Sequence, residues 1–335
     1  MVKVGLIGAG FMGAMHAQCH SLLPGVKLTG IADIRKEKAA ELAGKFNSAA
    51  LENAEELLRN PEVDAIDICL PTFMHADWTV KALQAGKHVI CEKPIALNVA
   101  DADRMVETAE KSGRIFMVAQ VIRFWPEYMR LKEICSRGEL GKMLSLSLTR
   151  LSPTPTWSWD GWLLDSPRGG GALIDLHIHD TDYLLHLLGK PLSVYSAGRN
   201  IKGAYWHIHS CFKYPGCTVT AEGGWDYADS FPFRMAFTAN FEKGAVEYSS
   251  IGAKPFGIFQ TGSAEYQQPA PEEKQADGGG NISSLGGYYN EIKYFIECVA
   301  KGRKPAMVTP ADARDSLTLV LKEGQSAEKD KEIAL

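Results

Sequence analysis

The chain has 335 residues, of which 45% are hydrophobic and 23% are charged, and its formal net charge is −4. This length exceeds a single ordinary core, so two domains are expected, and the composition is typical of a soluble globular protein. With a pI of about 6.2, neither nucleic acid nor an acidic membrane surface is an expected partner. The sequence has no run of about 18 apolar residues, which argues against a membrane span.

The start of the chain and the cysteines indicate the compartment. Residues 2–7 predict a buried strand rather than the basic and apolar regions of a signal peptide. The seven cysteines are scattered without a C-x-x-C pair, which is typical of reduced thiols. A cytoplasmic protein is therefore expected.

A glycine-rich motif follows the first predicted strand. Gly8-Ala9-Gly10-Phe11-Met12-Gly13 matches the pattern G-x-G-x-x-G, and a helix is predicted from Gly13 to Leu23. A second strand, Val26–Ala32, then ends at Asp33. The pattern alone is weak, because glycine-rich turns are common. The strand before it, the helix after it and an acid about 20 residues further on are the context of a dinucleotide-binding site.

Each residue of this motif has a physical role in dinucleotide binding. Gly8 allows the tight turn, Gly10 lets the pyrophosphate approach the backbone, and Gly13 lets the helix pack on the strand. Asp33 is expected to accept hydrogen bonds from the adenosine ribose, which favours NAD. Arg35 keeps NADP possible, because a guanidinium can bind a 2′-phosphate; the alternative for Arg35 is a solvated charge.

Strands and helices continue to alternate beyond this motif. Helices are predicted at 54–59, 74–85 and 100–112, and strands at 63–70, 88–91 and 116–120. This spacing predicts right-handed crossovers, a parallel sheet and ligands at the carboxyl ends of the strands. The prediction is a doubly wound Rossmann domain over residues 1–122.

Residues at the strand ends and inside the glycine-rich turn are expected to border the cofactor. They are Phe11, Met12, Pro71, Thr72, His75, Glu92, Lys93 and Gln120. Lys93 is held between a buried strand and a proline, so its ammonium can stabilise an alkoxide. The alternatives are a surface lysine in a loop and, for His75, a histidine that only opens a helix. Arg123, beyond the last strand, faces either a ligand or a structural salt bridge.

A second chemical signal lies in the segment from Gly169 to Asp182. Three glycines precede an aliphatic helical run in which Asp175 and His179 are four residues apart and share a face. A carboxylate one turn from an imidazole can orient it and set its charge, as a proton-transferring histidine requires. A metal site and a helix with an unusual polar face are the alternatives for the segment taken alone.

These motifs together resemble the Gfo/Idh/MocA family of NAD(P)-dependent oxidoreductases. The resemblance rests on Gly8–Gly13, Pro71-Thr72…His75, Glu92-Lys93-Pro94, Gly169-Gly170-Gly171…Asp175…His179-Asp180, and Gly302-Arg303-Lys304-Pro305…Val308-Thr309-Pro310. It implies a C-terminal α/β domain with an open, mainly antiparallel sheet, and a homodimer or homotetramer formed through that sheet. It also implies that Lys93, Asp175 and His179 are the catalytic set.

His177 departs from the family pattern, which often has a small residue between the Asp and the His. His177 and His179 could suggest a metal cluster, but residues two apart on a helix project about 200° from each other. No metal site is therefore expected. His177 is predicted to be a hydrogen-bonded residue that supports the site or contacts the substrate.

The second domain is predicted to span residues 123–335, and its last helix is a candidate to pack back on the Rossmann domain. Runs of alternating polarity predict strands at 145–150, 194–201, 206–212, 218–223, 234–240 and 245–248. A loop with three tryptophans lies between 156 and 162, and indole rings stack well on sugars. Trp162 and Arg168 are therefore predicted substrate contacts, together with Arg123 and His177. A Gly-rich stretch, 278–280, is a further candidate border of the site.

The combined prediction is an NAD(P)-dependent dehydrogenase that oxidises a secondary hydroxyl of a sugar, cyclitol or sugar derivative. One alternative is a redox-neutral glycosidase or lyase that oxidises its substrate transiently. Another is a non-catalytic sugar or NAD sensor. The motifs do not separate the first two, because both use the same residues, and they do not identify the substrate.

Overall fold

The computed structural model describes residues 1–267 and 285–335. These residues form two compact units, one of residues 1–124 with 285–315 and one of residues 125–267 with 316–335. Each unit therefore takes its residues from two separate stretches of the chain.

The predicted domain boundaries, 1–122 and 123–335, stay a prediction, as does the packing of the last helix. The Gly-rich stretch 278–280 lies outside the described residues. Within the described residues, none of the helices combines the length and the apolar character that a membrane crossing needs.

Parallel strands form the sheet of the first unit. They are β1 (Val2–Ile7), β2 (Val26–Ala32), β3 (Ala49–Leu51), β4 (Ala65–Ile68), β5 (His88–Glu92) and β6 (Phe116–Ala119). Their order is β3-β2-β1-β4-β5-β6, and each neighbouring pair is parallel. This is the doubly wound order, so the predicted Rossmann architecture is confirmed. The sequence analysis does not predict β3, a short edge strand without a buried apolar run.

Helices alternate with these strands. They are α1 (Phe11–Leu22), α2 (Lys36–Lys45), α3 (Glu55–Arg59), α4 (His75–Gln84) and α5 (Val99–Ser112). All four residues of β4 are buried, as expected for a parallel strand that has helices on both of its faces. Met15 and Cys19 of α1 share a core with Ile292 and Phe295 from the later stretch of the same unit. The core thereby holds α1, which carries the glycine-rich turn at its start.

Further helices follow in the later chain. They are α6 (Pro126–Arg137), α7 (Ser166–Gly169), α8 (Ile178–Leu188), α9 (Gly286–Ala300) and α10 (Pro310–Lys329). A π-helical turn, Leu173–His177, leads directly into α8. The predicted helix in this segment is therefore present, but its first turn contains one residue more than an α-helical turn of the same kind.

The second unit contains a nine-stranded sheet. Its strands are β7 (Met143–Pro153), β8 (Ser193–Ile201), β9 (Ala204–Tyr214), β10 (Cys217–Tyr227), β11 (Arg234–Phe241), β12 (Gly244–Ser249), β13 (Phe256–Gln260), β14 (Ser263–Gln267) and β15 (Ile333–Ala334). The order is β14-β13-β12-β11-β7-β10-β9-β8-β15. The predicted open, mainly antiparallel sheet is confirmed, and its six predicted strands are all present.

One central pair of this sheet departs from the antiparallel pattern. β7 and β10 are parallel, because the chain returns to β10 through α8, β8 and β9, a connection long enough for a crossover. The sequence analysis does not predict β13, β14 or β15, which are short strands at the two edges of the sheet.

Candidate functional site

The glycine-rich turn of the first unit requires glycine at two positions. Gly8 has φ +104°, and a Cβ placed on it would lie 2.3 Å from the carbonyl oxygen of Cys69. A Cβ on Gly13 would lie 1.9 Å from the carbonyl oxygen of Gly8. Around Gly10, by contrast, the nearest described atom is Arg35 Nη2, 3.8 Å from such a Cβ. The backbone is thus packed at Gly8 and Gly13 and open at Gly10.

The start of α1 lies beside this opening. Gly10 is its N-cap, without a side chain to cap the helix, and the first turn, which includes Phe11 and Met12, contains no acidic residue. A cavity of about 320 Å³ adjoins the turn and is lined in part by Gly10, Phe11, Arg35 and Lys38. Exposed N–H groups and the positive end of the helix dipole suit a pyrophosphate, so these residues fit a dinucleotide.

Asp33 is held in place at the end of β2. Its Oδ2 accepts a hydrogen bond from the N–H of Ala9 at 2.7 Å, and its two oxygens accept from Arg35 Nε at 3.0 Å and Nη2 at 2.9 Å. Burial by itself raises the pKa of Asp33, but the hydrogen bonds from Arg35 and Ala9 outweigh it and lower the pKa. The carboxylate is therefore ionised and held against the backbone of the glycine-rich turn. Arg35 pairs with this carboxylate and is not a simple solvated charge.

Two polar side chains near the ends of β4 and β6 lack hydrogen-bond partners in the part of the chain that the structure describes. Thr72 is 2% exposed and Gln120 is 1% exposed. Neither Thr72 Oγ1 nor either amide atom of Gln120 has a hydrogen-bond partner among the described residues. Buried polar groups normally have partners, so these groups fit a polar ligand at the carboxyl edge of the sheet, where the cofactor is predicted.

Lys93 lies on the loop that follows β5, and His75 is the first residue of α4. The N–H of Lys93 donates to Glu92 Oε2 at 3.0 Å. The ring nitrogens of His75 lie 2.8 Å from the carbonyl oxygens of Pro94 and Leu70, and burial lowers the pKa of His75. His75 thus connects the segments that follow β4 and β5, and its predicted place beside the cofactor stays a prediction.

A buried polar network in the first unit was not predicted from the sequence. His16 Nδ1 lies 2.9 Å from Asp67 Oδ2, and His20 Nε2 lies 2.8 Å from the same oxygen. His16 Nε2 lies 3.0 Å from Glu92 Oε1. The network therefore extends from α1 through β4 to the residue before Lys93.

Charge explains how this network is tolerated in the interior. Burial lowers the pKa of His16, but the attraction of Asp67 outweighs it and raises the pKa well above 6.5. Burial likewise raises the pKa of Asp67, and the two histidines outweigh it and lower the pKa. The available sequence signals were an aspartate inside an apolar strand and two histidines four residues apart on one helix, because a buried acid needs a partner.

The Gly169–Asp182 segment lies in the second unit. Gly171 has φ +76°, and a Cβ on it would lie 2.7 Å from the carbonyl oxygen of Tyr205, so the chain passes close to β9 at this point. Asp175 lies in the π-helical turn and His179 in the first turn of α8, and both are half-buried. Lys93 belongs to the first unit, whereas Asp175 and His179 belong to the second.

The other carboxylates of this segment have structural partners. Asp180 accepts two hydrogen bonds from the buried guanidinium of Arg150, at 2.8 and 3.0 Å. Asp182 accepts a hydrogen bond from Ser316 Oγ at 2.7 Å. Both aspartates are completely buried. They anchor α8, and Asp182 binds it to α10 through Ser316.

His177 is buried and has a carboxylate partner. Its Nε2 lies 2.6 Å from Glu323 Oε2, and Glu323 also accepts hydrogen bonds from Thr181 Oγ1 and Ser210 Oγ. A Cβ on Gly223 would lie 2.6 Å from His177 Nδ1, so this glycine makes room for the ring. The substrate contact predicted for His177 stays a prediction.

The remaining predicted substrate residues have protein contacts in their own units. Arg123 Nη1 donates to the carbonyl oxygen of Met307 at 2.8 Å and lies 3.3 Å from Asp312 Oδ2, and the residue is 4% exposed. This geometry is that of the structural salt bridge considered as the alternative. The ligand contact predicted for Arg123 stays a prediction.

Trp162 and Arg168 lie in the second unit near the three glycines. Trp162 is partly buried against Leu163 and Trp225. Arg168 donates to Asp165 Oδ2 at 2.5 Å and to Asp160 Oδ2 at 2.7 Å. These contacts hold the tryptophan loop together, and the substrate roles of both residues stay predictions.

Several comparisons with known proteins agree with this architecture. Residues 2–120 match the family described as the GFO_IDH_MocA oxidoreductase family with an NAD-binding Rossmann fold, and residues 128–247 match the C-terminal domain of the same family. The predicted NAD-binding class of the first domain is thereby confirmed. The structure is also similar to that of a levoglucosan dehydrogenase in complex with NADH and levoglucosan, with a TM-score of 0.85 and 22% identity, covering 99% of each chain. At this identity the similarity shows the fold alone.

Two curated relatives extend the comparison. Myo-inositol 2-dehydrogenase of Thermotoga maritima is 34% identical over 193 residues, which are 57% of this chain and 56% of that protein. The chain thus spans little more than half the length of this relative. The scyllo-inositol 2-dehydrogenase (NAD(+)) of Bacillus subtilis is 26% identical over 326 residues, 94% of this chain and 91% of that protein. Because the two family descriptions together match more than half of the chain, the protein belongs to the Gfo/Idh/MocA family of oxidoreductases.

Proposed function

We propose that the protein is an NAD-dependent dehydrogenase that oxidises a secondary hydroxyl of a sugar, cyclitol or sugar derivative. The observation on which the proposal most depends is the opening at Gly10, where an uncapped helix start and Arg35, which is paired with the ionised Asp33, border one cavity. The names of the two inositol dehydrogenases support a polyhydroxylated substrate. The unpartnered amide of Gln120 supports a ligand at the same edge of the sheet.

The glycine-rich turn and Asp33 would hold the cofactor. The N–H groups at the start of α1 would bind the pyrophosphate, and Asp33 would accept hydrogen bonds from the adenosine ribose. Bound NAD supplies the hydride acceptor for the oxidation. Arg35 already donates to Asp33, which favours NAD over a cofactor with a 2′-phosphate.

Three side chains would perform the acid–base chemistry. The imidazole of His179 takes the proton of the substrate hydroxyl, while the hydride leaves the carbon that bears this hydroxyl. The ammonium of Lys93 stabilises the alkoxide oxygen that develops. Asp175 positions the substrate or tunes the other two groups. The π-helical turn that contains Asp175 supports this assignment, because such turns are frequent at functional sites.

A substrate panel tests the proposal. Sugars and cyclitols are incubated with NAD and, in parallel, with NADP, and the absorbance of reduced nicotinamide is followed. We expect an increase with NAD for at least one secondary alcohol. A separate titration with NADH, followed by its fluorescence, tests the cofactor site without a substrate. Failure to bind NADH would overturn the proposal whatever the panel shows.

The redox-neutral alternative has its own signature. A glycosidase or lyase that returns the hydride to its substrate releases aglycone without accumulating NADH, so both products are measured in the same panel. A non-catalytic sugar or NAD sensor would bind its ligand without turnover. Assembly into a homodimer or homotetramer through the nine-stranded sheet and a cytoplasmic location stay predictions.

A further inference from the structure

We propose that His207, His209 and Glu222 form a binding site for one divalent transition-metal ion, with Zn²⁺ as the best-fitting ion. We call these three residues the β9–β10 cluster. They lie in the nine-stranded sheet of the second unit, and none of them has a role in the proposed dehydrogenase reaction. The sequence analysis predicted no metal site, so this inference departs from it.

Strand geometry brings the three residues together. Residues two apart on a strand point to the same face, so His207 and His209 share one face of β9, whereas Ile208 between them is buried. Glu222 of β10 is paired directly with His209. The two imidazoles and the carboxylate therefore lie on the same side of two neighbouring strands.

The donor atoms are close enough together to bind one ion. Glu222 Oε1 lies 3.2 Å from His207 Nε2 and 3.8 Å from His209 Nε2. One donor atom from each residue lies within 4.8 Å of the other two. Ligands bound to Zn²⁺ at about 2.0–2.2 Å are separated by roughly 3.3–3.5 Å along the edges of a tetrahedron. The two distances to Glu222 are thus within a few tenths of an ångström of this spacing.

The chemistry of the donors selects the class of ion. Two imidazole nitrogens and one carboxylate oxygen suit Zn²⁺ and its neighbours in the first transition row, whereas Ca²⁺ and Mg²⁺ prefer oxygen ligands. Three protein ligands leave a fourth position for water or another small ligand. His209 provides access, because 64% of its side chain is exposed.

Asp226 orients the ring of His207. Asp226 Oδ1 lies 2.8 Å from His207 Nδ1, and its other oxygen accepts a hydrogen bond from Arg199 Nη1 at 3.1 Å. A proton on Nδ1, donated to Asp226, leaves the lone pair of Nε2 directed towards Glu222. Carboxylate partners of this kind are typical of histidines that bind metals.

Gly224 also contributes to the position of this ring. It is paired with His207 across the two strands, and a Cβ on Gly224 would lie 2.5 Å from His207 Nδ1. The ring is therefore seated against the backbone of β10, in a space that a larger residue would fill. One of the two imidazoles is thus preorganised before any ion binds, which lowers the cost of binding.

The competing explanation is a site without metal. In that case the ring of His207 lies between Asp226 and Glu222 at hydrogen-bond distance from both, while His209 is a solvated surface residue. The two explanations differ in what His209 does. An ion requires it, whereas a His207 ring held between two carboxylates does not.

Zn²⁺ binding to the full chain separates these explanations. The protein is treated with a chelator, dialysed, and titrated with Zn²⁺ in competition with a chromophoric chelator. We expect the native chain to bind one Zn²⁺ ion tightly. The affinity for this ion should fall at least tenfold in His209→Ala and in Glu222→Gln. Asp226→Asn should weaken binding by roughly 10- to 100-fold, the usual effect of removing the partner of a metal-binding histidine.

Cys211→Ser is the matched control, because Cys211 is exposed, lies two positions beyond His209 on the same strand, and has a side chain of a type that can bind metals but is outside the proposed site. This variant should still bind one Zn²⁺ ion tightly. The proposal is overturned if the native chain does not bind one Zn²⁺ ion tightly, if His209→Ala and Glu222→Gln bind it as tightly as the native chain, or if Cys211→Ser loses this binding. Co²⁺ provides a second readout, since Co²⁺ in a tetrahedral site absorbs visible light. His209→Ala and Glu222→Gln should lack this absorption. Circular dichroism and NADH binding without metal should match the native chain in every variant.

Discussion

His177 and Glu323 lie 146 positions apart in the sequence, and their side chains meet in the buried interior of the second unit, with Nε2 and Oε2 separated by 2.6 Å. Thr181 and Ser210 donate to the same carboxylate. Burial lowers the pKa of His177, but Glu323 outweighs it and raises the pKa. His177 therefore forms part of a buried polar group that joins the π-helical turn, α8, β9 and α10.

Glu323→Gln should strongly destabilise the protein. Removing the charge leaves His177 without its ion pair in a fully buried position, which typically costs about 3–5 kcal/mol. Urea unfolding measures the change in the free energy of unfolding. Glu328→Gln, an exposed site on the same helix, is the control and should stay within about 0.5 kcal/mol of the native protein. Equal stability of the two variants would contradict the role of the pair.

Substitutions in the glycine-rich turn should separate folding from cofactor binding. Gly13→Ala places a Cβ 1.9 Å from a backbone oxygen, so both stability and NADH affinity should fall. Among the described atoms, the methyl group of Gly10→Ala meets Arg35 Nη2 alone, at 3.8 Å, so the protein should fold normally while the added methyl group obstructs the pyrophosphate. We expect NADH affinity to fall at least tenfold, about 1.4 kcal/mol, measured by fluorescence titration.

Gly44→Ala is the control for this pair of variants. Gly44 is exposed on α2, and no described atom lies within 4 Å of the added Cβ. Alanine in a helix is favoured over glycine by about 0.5–1 kcal/mol, so stability should rise slightly and NADH binding should not change. Unchanged NADH affinity in Gly10→Ala would show that the cofactor does not approach the turn.

Asp33→Asn should shift the cofactor preference towards NADP. The substitution removes the negative charge that would repel a 2′-phosphate and weakens the hold on Arg35, whose guanidinium can then bind that phosphate. We expect the ratio of kcat/KM for NADP to that for NAD to rise at least tenfold, which is about 1.4 kcal/mol in relative transition-state binding. Glu37→Gln removes an exposed charge nearby without touching the Asp33 hydrogen bonds, and it should leave the ratio unchanged. A ratio that moves equally in both variants would argue for a general charge effect.

Lys93→Ala and His179→Ala should each lower kcat by roughly 10²- to 10⁴-fold, the usual contribution of an acid–base group. In His179→Ala, the affinity for NADH should fall much less than kcat does, because His179 is proposed to act on the substrate. Lys81→Ala, at an exposed position of α4, is the control for loss of a lysine and should keep native turnover. Steady-state kinetics on the best substrate of the panel measure kcat. Native turnover in Lys93→Ala or in His179→Ala would overturn the catalytic assignment.

The His16–Asp67 pair should give a characteristic dependence of stability on pH. The pKa of His16 is raised in the folded state, so its contribution is complete below about 6.5 and is lost as the pH rises through the folded pKa. The pKa of Asp67 is lowered, so its contribution is complete above about 3.9 and is lost as the pH falls through the folded pKa. The pair therefore stabilises most between about pH 4 and 6.5.

Asp67→Asn tests this window. The difference in the free energy of unfolding between the native protein and the variant should reach about 3–5 kcal/mol within the window and shrink at alkaline pH. Urea unfolding across a series of pH values measures it. Asp77→Asn, in an exposed ion pair with Arg104, should cost less than about 1 kcal/mol at every pH. A native-minus-Asp67→Asn difference that is constant into the alkaline range would contradict a buried ion pair.

The local pattern of the sequence was sufficient for the architecture. The period of the strands, the spacing of the helices and the three glycines of the first turn predict the Rossmann sheet and the position of Asp33. Alternation in 194–201 and 206–212 likewise predicts β8 and β9. These features depend on residues close together in the chain, where backbone conformation and the period of apolar side chains are directly visible. The short edge strand β3 and the parallel pairing of β7 with β10 lack such a signal.

The partners of the buried polar side chains could be identified only from the tertiary structure. His177 could be predicted to need a partner, but Glu323 lies in another helix far along the chain, and only the folded second unit brings the two together. The same is true of His16 with Asp67, and of His207 with Asp226 and Glu222. The sequence by itself determined the elements, the family and the class of cofactor, because these follow from local periodicity and short motifs. The tertiary structure decided which charged groups face one another, because Coulomb attraction and desolvation depend on distances and burial that no local pattern contains.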